Sequence, residues 1–376
     1  MEKQKIKDLF KFLPKSKHKA GEGLEKGQYP FYTSSATVNK YFDEYDYESD
    51  KLIFATGGRA SVHYADKRFA VSTDNFILEP KENTNAKYVY YYLKNNIQIL
   101  QEGFHGAGLE HLSKDYLNEV LIPLLDKDAQ DKIVSILDKV EKIQENKKHA
   151  NEKLDEFLKS TFIDMFGDPA KNTKNWKVCT LEEIVTNDKH SIKRGPFGGS
   201  LKKEIFKDSG YLVYEQTHAI HNDYSFARYY IDEKKYKEME IFKVVPGDLI
   251  ISCSGVTLGR ISEIPQNAIP GIINQALLKI SLNHDIITNE YFMTLFRDKY
   301  TQNKIFEISR GSGIPNMPSV SILKQLRFML PSIELQIKFT NIVNKVKEQR
   351  QKNEKVIEQM DNLFNSLSQK AFNGEL

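Results

Sequence analysis

The side chains of this chain that could do chemistry gather in small glycine-rich loops. They are cations, hydroxyls and carboxamides rather than nucleophiles. Lys193 and Arg194 precede, and Lys202 and Lys203 follow, the loop Gly195-Pro-Phe-Gly-Gly-Ser200. Backbone amides and cationic tips in such a loop suit phosphate oxygens, which give affinity and salt dependence without sequence information. Arg59 and Arg260 follow two short apolar runs, where an arginine can bridge guanine O6 and N7. Asn75, Gln216, Asn274 and Gln275 are carboxamides suited to adenine. Lys15, Lys17, His105, His218, Thr257, Arg310, Ser312 and Asn316 complete the candidate contact set. For each charged member the plain alternative is a solvated charge or a structural ion pair.

Catalytic motifs are missing. There is no Asn/Asp-Pro-Pro-Phe/Tyr tetrapeptide of an amino-methyltransferase and no G-x-x-x-x-G-K-S/T phosphate loop. Acidic and lysine residues show no nuclease-like clustering beyond chance pairs. His218 and His221 have metal-like spacing, but no cysteine or carboxylate constellation supports them, so no metal and no catalytic residue are expected. Cys179 and Cys253 are too few for a disulfide framework, which suits a reduced, cytoplasmic setting. No apolar run approaches the roughly 18 residues of a membrane span.

The elements that must position these loops come in duplicate. Residues 126–166 and 332–372 align at an offset of 206: Gln130, Lys132, Ile136, Lys139, Val140, Glu152, Asp155, Ser160 and Phe166 meet Gln336, Lys338, Ile342, Lys345, Val346, Glu358, Asp361, Ser366 and Phe372. Alternating three- and four-residue intervals predict a coiled-coil seam through Ile133, Ile136, Val140, Lys147, Leu154 and Phe157, and through Phe339, Ile342, Val346, Asn353, Met360 and Leu363. Polar Lys147 and Asn353 interrupt both seams at one place, a device that fixes register. The expected arrangement is two long antiparallel helices related by a pseudo-two-fold axis; the alternative is one amphipathic helix packed on each globe. About 40 helical residues span roughly 60 Å.

The globes repeat more loosely. Leu52-Ile-Phe-Ala-Thr-Gly-Gly58 resembles Leu249-Ile-Ile-Ser-Cys-Ser-Gly255, a buried strand closed by small residues. Asp74–Leu78 resembles Asn274–Leu278, and His105–Gly108 resembles Arg310–Gly313. Val120–Pro123 and Phe328–Pro331 lead into the long helices. The pattern is mixed α/β, with globes at 1–125 and 167–331 and spacer helices at 126–166 and 332–376. Net charge is +3; residues 126–165 carry −2 and 333–376 carry +1, leaving +4 on the rest, a mild basic bias compatible with nucleic acid.

The order of these parts resembles the type I restriction–modification specificity subunits, the HsdS family. The resemblance rests on Gly195–Lys202, on Gly247-Asp-Leu-Ile-Ile251 before a glycine loop, and on Ile122-Pro123…Gln130…Ile133 and Leu330-Pro331…Gln336…Phe339. It implies that each globe is a target-recognition domain reading one half of a split sequence in double-stranded DNA. It implies helices that set the gap and dock two methyltransferase subunits, with motor–nuclease subunits joining the assembled complex. S-adenosylmethionine, ATP and magnesium would then serve partner subunits, none being held by this chain. Ala129 and Leu335 stand where the family usually has an acidic residue, and the first globe lacks the glycine-proline-phenylalanine loop. The competing expectations are a protein-binding coiled-coil adaptor, a specificity subunit of a related restriction class, and a self-contained nuclease or methyltransferase with a cryptic site.

Overall fold

The computed structural model describes residues 2–106, 110–309 and 316–375. The chain divides into two compact units, Met1–Asn151 with Lys352–Leu376, and Glu152–Gln351. Each long helix therefore contributes one half to each unit.

The first unit carries a four-stranded antiparallel sheet in the order Phe10–Phe12, Asn75–Pro80, Lys51–Ala55, Val62–Ala65. A three-stranded sheet stands beside it, with Tyr29–Tyr32 central, antiparallel to Lys40–Phe42 and parallel to Ala70–Val71. Glu2–Lys5 pairs with Leu121–Leu124, the strand that feeds the first long helix. The second unit repeats the plan: Ile192–Arg194, Leu277–Ile280, Leu249–Ser252 and Ile261–Glu263 form one sheet. Tyr211–Tyr214 runs parallel to Gly271–Ile273 in the other, and Lys177–Thr180 pairs with Arg327–Leu330. Leu52, Ile53 and Phe54, like Leu249, Ile250 and Ile251, are fully buried, as β-branched and aromatic residues in a central strand covered on both faces should be.

The long helices run Lys127–Phe166 and Ile333–Asn373. Both stop at glycines in the left-handed region, Gly167 (φ +82°) and Gly374 (φ +77°), a conformation that a Cβ disfavours. Their partners descend in one helix as they ascend in the other. In the first unit Gln144 donates to Asp361 at 2.8 Å and Asn353 to Asn151 at 2.8 Å, and Phe364 shares one buried apolar cluster with Ile133, Leu137 and Val140. In the second unit Asp155 pairs with Arg350, and Phe162 and Phe166 meet Phe339 edge-on. The packing is thus antiparallel.

The seam differs from the sequence expectation in alternate positions. Ile133, Val140, Phe339, Val346 and Asn353 are buried, and Lys147, Leu154 and Met360 half-buried, as the spacing requires. At the intervening positions Leu137, Leu158, Val343 and Phe364 join the apolar clusters, Ile136 and Ile342 beside them are half-buried, and Phe157 and Leu363 face outward. Phe157 is 49 % and Leu363 40 % exposed, and Ile143 is 41 % exposed. Adjacent apolar pairs at 136/137, 157/158, 342/343 and 363/364 make the three- and four-residue steps interchangeable in sequence; packing selects the four-residue step first.

Gln130 and Gln336 tie each long helix to its unit. Both are fully buried. Gln130 accepts from the backbone N–H of Asn85, the N-cap of helix Ala86–Asn95, and its amide donates to the Asn83 and Leu125 carbonyls. Gln336 accepts from Thr288, the N-cap of helix Asn289–Arg297, and donates to Ile286 and Pro331.

Candidate nucleic-acid interface

Two equivalent loop clusters form where the central strands end. In the second unit Cys253 N–H donates to Ala276 O at 2.9 Å, and Cys253 O accepts from Met317 N–H at 2.7 Å. In the first, Thr56 N–H donates to Asp74 O at 3.0 Å, and Thr56 O accepts from Leu112 N–H at 3.0 Å. The bridges Ser254 to Asn316 and Gly57 to His111 continue the match. One backbone frame therefore presents two different sets of side chains.

In the second unit the frame gathers five of the sequence candidates. Arg194 donates from Nη2 to Asn316 Oδ1 (2.5 Å) and from Nη1 to Met317 O (3.1 Å). Gln216 donates from Nε2 to Ser252 Oγ (2.9 Å) and Ser254 O (3.3 Å), and the Ser252 and Thr257 hydroxyls meet at 3.4 Å. Asn274 closes its own turn by accepting from Ala276 N–H. A Cβ on Gly195 would lie 1.8 Å from Asn274 O, so only glycine permits this approach. These polar groups hold one another and build a platform.

What the platform leaves exposed is Gln275, Arg260, Ser200, Lys202 and Lys203, with two apolar tips, Phe197 (80 % exposed) and Val256 (fully exposed). Lys193 lies over the Phe242 ring at 5.1 Å. His218 is not at the surface. It is fully buried, its Nδ1 accepts from Glu215 N–H (2.9 Å), and its Nε2 donates to Phe226 O (2.9 Å). That ring holds a loop between the backbones of Glu215 and Phe226 and has no face at the surface. Burial pushes the Cys253 thiol up to about 12, so it carries no thiolate.

In the first unit Arg59, His105, Lys15 and Lys17 are exposed, Lys15 lying over Phe76 at 4.8 Å. Asn75 is fully buried and donates from Nδ2 to Ser72 Oγ at 3.0 Å. Strand register explains this. Asn75 stands opposite Ala55 as Leu277 stands opposite Ser252, so its counterpart is an interior position and not Gln275. Arg310 and Ser312 lie outside the described residues. Sequence reasoning missed His111, the counterpart of Asn316, whose Nδ1 lies 3.1 Å from Thr56 O. The alignment of His105 with Arg310 already carried that signal, because its offset pairs 111 with 316. Among the described residues no three His, Cys, Asp or Glu side chains group as a metal site, and no helix is long and apolar enough to cross a membrane.

The chain is thus mixed α/β, with two like units that each hold half of two long helices. Residues 1–156 match the family model described as type I restriction modification DNA specificity domain. The chain is 22 % identical over 317 residues to the type I restriction enzyme MjaIX specificity subunit of Methanocaldococcus jannaschii, covering 79 % of this chain and 70 % of that one. The MjaVIII specificity subunit of the same organism is 21 % identical, with 77 % and 70 % covered. The fold matches the type I restriction–modification S subunit of M. genitalium with a TM-score of 0.66 at 18 % identity, over 99 % of this chain and 96 % of that one. A structure from work on complex assembly of a type I system matches with a TM-score of 0.58 at 13 % identity, over 100 % and 98 %.

Proposed function

We propose that this chain is the non-catalytic DNA-addressing subunit of a type I restriction–modification complex, each unit reading one half of a bipartite duplex target. The observation that carries the reading is the backbone frame built twice at the strand ends around Thr56 and Cys253, and dressed with different side chains. A duplicated frame with unlike loops suits two unlike half-sites. On the second unit Lys202 and Lys203 serve phosphates while Gln275 reaches a base edge; on the first, Lys15 and Lys17 serve phosphates while Arg59 and His105 reach bases. The long helices set the gap. Their exposed apolar residues, Ile143 and Leu363 in the first unit and Phe157 in the second, dock the methyltransferase subunits. S-adenosylmethionine belongs to those partners, and ATP and magnesium to a motor–nuclease subunit.

The test is methylome sequencing of a methylation-free host that expresses this chain with its neighbouring methyltransferase. The expected result is a new motif of two short half-sites around a fixed gap, and exchange of residues 1–125 should change one half only. A soluble complex without any new motif would overturn the reading.

A further inference from the structure

The second unit holds a cavity of about 560 Å³ beside the strand-end loop, walled by Arg260, Arg297 and Lys299, with Asn222 and Asn303 at its sides and Val256 on its rim. None of the three cations makes an ion pair with a carboxylate among the described residues. Arg297 is aimed by a 2.7 Å bond from its Nη2 to Ile261 O. Partial desolvation of the guanidinium inside the cavity, and then the neighbouring Arg260, hold it below the ordinary range, with Glu290 opposing them. Glu290, the one carboxylate that favours the charged Arg297, is itself paired with Lys347, so the three like charges disfavour one another until an anion joins them.

The first unit shows what the fold does when no outside anion is needed. Lys94 is the counterpart of Arg297, each nine residues beyond its helix N-cap, Asn85 and Thr288. Lys94 is neutralised by Glu141 at 2.8 Å. The helix repeat places Lys347 at the position of Glu141, and Lys347 pairs with Glu290 at 3.0 Å. The carboxylate that neutralises this cation in one unit is thus replaced by a cation in the other.

We propose that the Arg260–Arg297–Lys299 cavity is an oxyanion site that takes a sugar–phosphate segment of the DNA backbone. This rests on the DNA-binding reading above, and gives that binding an anchor present in one unit only. Guanidinium forks suit phosphate oxygens, and the carboxamides suit sugar and ester oxygens. The cavity has room for more than a lone phosphate, which favours a strand over a free ion. Arg260, placed by sequence among the base readers, becomes a backbone contact.

The experiment is a salt titration of duplex binding by the full chain in complex with its methyltransferase, using a target duplex and a scrambled one. Arg260→Ala, Arg297→Gln and Lys299→Gln should each weaken both duplexes alike, by about tenfold at physiological salt, and lower the slope of log K against log[salt] by about one. Arg297→Lys should retain most of the slope, and Lys94→Gln should change nothing. Loss confined to the target duplex on Arg260→Ala would return that residue to base reading and overturn the site. So would unchanged slopes in all three variants, while wild-type binding left the DNA-binding reading intact. If the wild-type complex binds no duplex, that reading falls. Inorganic phosphate titrated against the ¹⁵N-labelled arginine side chains of the chain then decides: shifts lost in Arg297→Gln support an oxyanion site for a free phosphate, and none overturns it.

Discussion

Gln130 Oε1 accepts the backbone N–H of Asn85 at 2.8 Å, and this one bond joins the start of the first long helix to the cap of the helix above it. Gln336 repeats the bond on Thr288 at 3.0 Å. Each carboxamide also satisfies two carbonyls. Gln130→Leu or Gln336→Leu strands three backbone groups in a dry site. Each should cost about 3 kcal/mol, confined to its own unit. Urea unfolding followed by hydrogen exchange resolved by residue checks this; equal loss in both units would contradict it.

Asn353 is buried in the seam and donates to Asn151 at 2.8 Å. A matched polar pair lowers stability but fixes register. Asn151→Leu with Asn353→Leu should raise the melting temperature and loosen the register. Cysteines at 144 and 361, where Gln144 meets Asp361, should cross-link alone in the parent. In the leucine pair the yield of this 144–361 cross-link should fall, as slipped registers move the two cysteines apart.

Gly195→Ala should destabilise the second unit by about 3 kcal/mol, because its Cβ falls onto the Asn274 carbonyl, a backbone atom that cannot yield. Gly199→Ala meets only the flexible end of Lys202 and should be close to neutral. Chemical denaturation distinguishes the two. In a methylome the first substitution should blur one half-site and leave the other.

Glu119 accepts from Lys5 and Lys7, which hold its carboxyl down to about 2 from 4.5. The folded value lies below the unfolded one, so its contribution is present above about pH 4.5 and is lost as pH falls toward 2. The groups are exposed, so salt should screen the effect. Glu119→Gln should flatten the acid limb of first-unit stability in that window, as followed by hydrogen exchange.

The sequence by itself determined the duplication, the two long helices, and the strands around Ile53 and Ile250. These depend on local pattern: apolar periodicity and β-branched runs. It also carried the family resemblance, because that lies in the order of parts. Only tertiary structure chose between Phe157 and Leu158 for the seam, since adjacent apolar residues satisfy either spacing until a partner helix is placed. Only it put Asn75 and His218 indoors, because a carboxamide or imidazole looks the same in sequence whether it meets a base or a buried carbonyl. It also brought Arg260 to the Arg297–Lys299 pair around one cavity, and a charge brought in from a distant segment by folding leaves no local pattern to read.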